Sequence, residues 1–168
     1  MKKLVLLAIF FASFSIEAQN SIDELLKSYN TESVPYMTVQ ELAMPKTDAV
    51  ILDSREPKEY EVSHISNAIN VGYDHFDINA IQNVVKDKSK VIVVYCSVGI
   101  RSEDIGEKLK DAGYTNVYNL FGGIFEWKNK GFTVYDSENK ETKKVHTFSK
   151  AWSKWLKKGK KVYGKKNG

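Results

Sequence analysis

The sequence holds a single cysteine, Cys96, so no internal disulfide can staple the fold. Histidine is scarce too. His64, His75 and His146 show no metal-ligand spacing with one another or with Cys96, and no glycine-rich phosphate loop for nucleotides is present. Neither a metal nor an organic cofactor is therefore expected. Only one long apolar run occurs, LVLLAIFFASF at residues 4–14. It is shorter than the roughly 20 residues of a spanning helix, and Glu17 stops its extension. With Lys2 and Lys3 ahead of it and Ala18 behind, residues 1–18 read as a signal peptide. The absence of cysteine there argues against a lipoprotein anchor, so an exported mature chain starting near Gln19, periplasmic or secreted, is predicted.

Acidic residues are missing from the other end: positions 143–168 carry ten lysines and no Asp or Glu. The whole chain is +4. Without the leader's two lysines and one glutamate it is +3, and the ten tail lysines then leave −7 on residues 19–142. The charge pattern is that of an acidic domain with a basic tail. An exported protein of this kind is a poor candidate for nucleic acid.

What is present alternates in a regular way. SIDELLKSYNTES places Ile22, Leu25, Leu26 and Tyr29 on one helical face after a Ser21 cap, giving a helical extension over 19–35. YMTVQELA reads as a brief strand and one helical turn capped by Thr38. AVILDS, NAINVG, KVIVVYC and TNVYNL read as short apolar strands, with AVILDS buried on both faces. Between them lie helical patterns in EPKEYEVSHI, HFDINAIQNVVK, RSEDIGEKLKDAG and GGIFEWKNKG. FTVY forms an extended exit. Strands and helices in alternation predict an α/β fold with a parallel sheet, in which ligands bind beyond the carboxyl ends of the strands.

Cys96 ends the strongest of those strands. For an unpaired thiol the choice is between an inert core residue and a reactive group, and the neighbours Ser97, Val98, Gly99, Ile100, Arg101 and Ser102 favour the second. They make a tight strand-to-helix turn in which Gly99 permits unusual torsions. Successive N–H groups of such a turn, with the helix N-terminus behind them, form a bowl for an anion. A thiol at its rim is held more readily as thiolate, without a histidine base. Arg101 adds a fixed positive charge at a helix start, a poor place for one unless an anion is bound.

These residues resemble the rhodanese family of single-cysteine sulfurtransferases. CSVGIRS is similar to the family's Cys-x-x-Gly-x-Arg-Ser active loop. LDSREPKEYEVSHISNAINV is similar to its upstream signature, and NLFGGIFEWKNKGFTVY to its closing element. The resemblance covers about 36–135 and leaves 136–168 as a basic, aromatic extension. It implies a rhodanese-like α/β fold: a central five-stranded parallel sheet with helices on both faces. It also implies that Cys96 accepts a sulfane sulfur from a donor such as thiosulfate and passes it to a thiol or cyanide. The loop amides from Ser97 to Ser102 would cradle the sulfur, and Arg101 would favour anionic donors. Asp53, Arg55 and His64 match family positions expected to be structural, while Gly122 and Gly123 would let backbone approach the active loop. Ser63, Ser66 and Asn67 depart from the family's Gly, Pro and Gly around His64.

Two rival readings stand beside this one. A cysteine phosphatase or arsenate reductase shares the Cys-loop-Arg logic, but such phosphatases have five residues between Cys and Arg, and here there are four. A non-catalytic exported sulfur-carrier module is the other. In the tail, HTFSKAWSKWLKKGKKVYGKK places Phe148, Trp152, Trp155 and Leu156 on one face of a basic amphipathic helix. Such a helix would suit an anionic membrane or an acidic protein. The alternative, favoured by the domain's negative charge, docks those aromatics on the domain itself.

Overall fold

The apolar strand patterns all converge on one sheet. The computed structural model describes residues 21–164, so the expected signal at 1–18 lies outside the described residues. The strands are β1 (Tyr36–Met37), β2 (Ala49–Asp53), β3 (Ile69–Asn70), β4 (Val91–Tyr95) and β5 (Val117–Leu120). They pair in parallel in the order β1-β5-β4-β2-β3. Among the described residues six α-helices accompany them: α1 (Ile22–Tyr29), α2 (Val39–Leu42), α3 (Pro57–Val62), α4 (Ile78–Val84), α5 (Arg101–Asp111) and α6 (Gly123–Asn129). Among the described residues no helix is long and apolar enough to cross a membrane.

β4 shows why the sheet is covered on both sides. Its side chains alternate between faces, as the two-residue period of a strand requires. Ile92 and Val94 join Ile81, Val85, Ile105 and Leu109, which belong to α4, its C-cap and α5. Val93 and Tyr95 join Val39, Leu42, Ile124 and Phe125, from α2 and α6. Each such aliphatic side chain contributes about 1.5–3 kcal/mol on burial. β2 is less enclosed than its apolar run suggested. Only Leu52 and Asp53 are buried, because β3 on its outer side is two residues long and pairs with that end alone.

Residues 21–35 pack closely on this frame. Ser21 and Thr38 both cap their helices with full capping boxes, through Glu24 and Glu41. Leu26 and Val34 are buried, and Val34 lies where a Cβ on Gly106 would meet it at 2.9 Å. α4 begins later than its pattern suggested, and Val84 is exposed while Val85 enters the core.

The tail departs from the single amphipathic helix that its spacing suggests. Val134–Tyr135 (β6) pairs antiparallel with Glu141–Thr142 (β7), and Lys144–His146 (β8) pairs in parallel with Lys160–Val162 (β9). Between β8 and β9 only Trp152–Trp155 is helical, as one 3-10 turn. The four aromatic and aliphatic positions are divided. Trp155 and Leu156 are buried in the core, where Asn129 accepts from Lys157 N at 2.7 Å and donates to Trp155 O at 2.9 Å. Phe148 instead remains 55% exposed, at φ +60°. Burial of Trp155 and Leu156 outweighs continuation of a helix whose apolar face would otherwise be wet.

Candidate active site

The register of the sheet brings the carboxyl ends of three strands together: Asp53 of β2 stands beside Tyr95 of β4, and Val94 of β4 beside Asn119 of β5. The chain leaves β4 at Cys96, turns through Ser97–Ile100 and enters α5 at Arg101. Gly99 takes φ +113°, and a Cβ there would meet Leu26 at 3.3 Å and Asn119 Oδ1 at 3.6 Å. The turn lets the Gly99 N–H donate to Cys96 Sγ at 3.1 Å. The Cys96 side chain is buried but lies at the floor of a cleft of about 160 Å³.

Burial alone would push the Cys96 thiol up, yet its pKa lies below the ordinary 9.0. The Arg101 charge, the Ser102 hydroxyl and the N–H groups of Gly99 and Ser102 together outweigh desolvation. They are not equal partners. Ser102 Oγ lies 3.6 Å from Sγ but only 2.7 Å from Asn119 Oδ1, and a hydroxyl has one proton to give. The Gly99 amide and the Arg101 charge are the firmer supports for a thiolate.

The loop is fixed from behind. α6 starts against it, and its first free amides are used there: Ile124 N donates to Cys96 O at 3.0 Å and Phe125 N to Ser97 O at 3.1 Å. A Cβ on Gly123, which has φ +53°, would lie 2.3 Å from Cys96 O. Gly123 therefore permits the close approach expected of the glycine pair. Gly122 does not take part; a Cβ there would strike Glu126 and approach Ile22, both away from the loop. Gly99 O is held by two amides, Asn119 Nδ2 at 2.8 Å and Asn30 Nδ2 at 2.9 Å.

The fixed positive charge expected of Arg101 is present but paired. Its guanidinium meets the Glu59 carboxylate in a two-pronged pair, at 2.8 and 2.9 Å, and reaches Ser97 Oγ at 3.3 Å. Burial would raise the Glu59 carboxyl pKa, but the hydrogen bonds and charge of Arg101, with the charge of Arg55, bring it below 4.5. The positive charge at the loop is thus largely compensated. His146 Nδ1 is 3.9 Å from Glu59 and accepts from Phe148 N at 3.1 Å, which requires a neutral ring. Burial lowers its pKa, and the Arg55 and Arg101 charges add to the drop against the pull of Glu59.

Asp53 and Arg55 form a fully buried pair at the end of β2, with Arg55 Nη2 to Asp53 Oδ2 at 2.6 Å and to Ser63 O at 2.7 Å. They brace the strand end and the 63–68 turn and do not line the cleft. His64 stacks on Tyr60 at 3.9 Å and bridges to Tyr135 through its backbone. It too is outside the cleft. Of the expected site residues the structure brings Cys96, Ser97, Val98, Ile100 and Arg101 to the cleft, with Gly99 and Ser102 directed at the sulfur.

Sequence reasoning missed Glu59, Asn119 and Asn30, and the cleft walls Tyr29, Phe148 and Trp152. Glu59 lies within the upstream signature, where no role was assigned to it. Asn119 could have been found as a polar side chain inside the apolar run TNVYNL, and it is fully buried.

Comparison with known proteins agrees with this geometry. The rhodanese-like domain family matches residues 38–130, and the chain belongs to that family. A tRNA uridine(34) hydroxylase of Erwinia tasmaniensis is 40% identical over 86 residues, which are 49% of this chain and 25% of that protein. The chain thus spans about a quarter of that relative. A thiosulfate sulfurtransferase from Pseudomonas aeruginosa superimposes with a TM-score of 0.57 at 22% identity, over 73% of this chain and 23% of that one. A rhodanese-related protein from Thermoplasma volcanium gives 0.52 at 27% identity, over 60% and 96%. These likenesses agree on a rhodanese-like fold.

Proposed function

We propose that this protein is a sulfurtransferase that carries sulfur on Cys96. The Cys96 thiolate attacks the outer sulfur of a sulfane donor, a Cys96 persulfide forms, and the donor's remainder leaves with the electron pair. A thiol or cyanide then attacks the outer persulfide sulfur and regenerates the thiolate. The observation that carries this reading is the Gly99 N–H aimed at Sγ from 3.1 Å, within a loop whose carbonyls are tied to α6. An anionic sulfur, whether thiolate or persulfide, is stabilised by that arrangement.

A phosphatase reading is weaker. Its Arg must meet a phosphate dianion, and Arg101 is already engaged by Glu59. The four-residue spacing also gives a smaller bowl. The nucleic-acid chemistry named for the Erwinia relative belongs to a protein four times longer than the shared segment, and we do not extend it to this chain. Export of the mature chain is part of the proposal, and amino-terminal sequencing of protein recovered outside the cytoplasm tests it.

Mass spectrometry after incubation with thiosulfate, or with an organic thiosulfonate, tests the chemistry. A gain of one sulfur on the Cys96 peptide is expected, with none in Cys96→Ser. Cyanide-dependent turnover that survives Cys96→Ser refutes the assignment.

A further inference from the structure

Three aromatic side chains surround the mouth of the Cys96 cleft, and all three come from outside the family-matched segment 38–130. Tyr29 ends α1, while Phe148 and Trp152 belong to the tail. Tyr29 and Trp152 pack with ring centroids 6.2 Å apart. Phe148 lies with its ring 5.3 Å from the Arg101 guanidinium carbon. Val98 and Ile100 complete walls that are largely apolar.

Phe148 is the telling member. A bulky residue at φ +60° is strained, by about 1–3 kcal/mol, and its ring is not repaid by burial because it stays 55% exposed. Tyr29 is also exposed, at 62%. Two large rings held in solvent above a reactive thiol are unexplained by packing alone. They gain their contacts when something flat and apolar enters the cleft. The volume is adequate, since a cavity of about 150 Å³ accommodates a benzene ring. The charge agrees as well: Glu59 compensates Arg101, so a dianion finds little free positive charge at the thiol.

We infer that the substrate is an organic sulfane-sulfur compound with an apolar, preferably aromatic, group on the side that is not transferred. This rests on the sulfurtransferase reading above and specifies its substrate class. With an arenethiosulfonate the step balances: Cys96 Sγ⁻ attacks the terminal sulfur and an Sγ–S bond forms. The S–S bond to the sulfonyl sulfur breaks, and the arenesulfinate leaves with the bonding pair. Neither an external oxidant nor a reductant is needed. Tyr29, Phe148 and Trp152 hold the ring and leave the chemistry to the loop.

The test compares benzenethiosulfonate with methanethiosulfonate, equal in charge, in cyanide-coupled turnover by the full chain. Each kcat/KM is divided by that donor's own rate with a small free thiolate. The aromatic donor is expected to win by at least about tenfold, as burial of several apolar carbons in a shaped pocket gives. Phe148→Ala and Tyr29→Ala, both at exposed positions, should each shrink that ratio several-fold. Trp152 packs on the core and is left unsubstituted; the cleft as a whole is read by the competitive inhibition of the unmodified protein, expected to be stronger by benzenesulfinate than by methanesulfinate. A ratio near one, or one that the variants leave unmoved, overturns the inference while sulfur transfer itself stands. If no donor labels Cys96, the sulfurtransferase reading falls first and this falls with it.

Discussion

Replacing Glu59 with glutamine separates the two things that its ion pair does. The change keeps shape and one acceptor but removes the charge opposite Arg101. For a fully buried pair, loss of one partner costs about 3–5 kcal/mol. Here the Glu59 side chain is 4% exposed and that of Arg101 18%, so the guanidinium can recover some hydration. We expect about 2–3 kcal/mol at pH 7, read by urea unfolding, with Tm falling by about 2–4 °C for each kcal/mol. The folded pKa of Glu59 lies below its ordinary 4.5, so its contribution is complete above that value and is lost as pH falls through the lowered one. The gap between the native chain and Glu59→Gln should therefore close in acid. In the same variant Arg101 is left with uncompensated charge, so KM for thiosulfate should fall relative to that for a monoanionic donor. A gap that is absent at pH 7, or that persists unchanged through acid, would refute the ion-pair argument.

Three further outcomes are expected from the same geometry. Arg101→Met removes a charge that favours the thiolate, so the pH midpoint of Cys96 alkylation by iodoacetamide should rise from its position below 9.0; an unmoved midpoint contradicts the role given to Arg101. Gly123→Ala places a methyl 2.3 Å from Cys96 O at a positive φ, which should cost about 2–4 kcal/mol in urea unfolding and at least tenfold in kcat/KM. Asp53→Asn strands the fully buried Arg55 charge and should destabilise by about 3–5 kcal/mol; a loss under about 1 kcal/mol would mean the pair is relieved elsewhere.

The legible parts of this chain were those with a period or a cap. The unbroken run of β-branched and aromatic residues through Ile92, Val93, Val94 and Tyr95 announced a strand. Ser21 and Thr38 marked helix starts with local chemistry. Cys96, Gly99 and Arg101 disclosed the candidate loop because their spacing is itself the geometry. Pairing at a distance was the part that sequence could not display. Glu59 reaches Arg101 across 42 positions and Asn30 reaches Gly99 across 69. No local periodicity encodes such meetings. In the tail the helical spacing of Trp152, Trp155 and Leu156 misled, while the favoured docking of the aromatics on the domain is what Trp155 and Leu156 do, in a pocket beside Asn129 that only the folded domain creates.

The positions of Asn30 and Tyr29 bear on how the molecule is handled. Asn30 tethers the active turn and Tyr29 walls its entrance, yet both precede the first residue matched by the family, as Phe148 lies beyond the last. A fragment cut at those borders would retain every residue of the loop and still present an altered cleft, open on one side and untethered on the other. Kinetic work on trimmed material would describe the excision rather than the native protein.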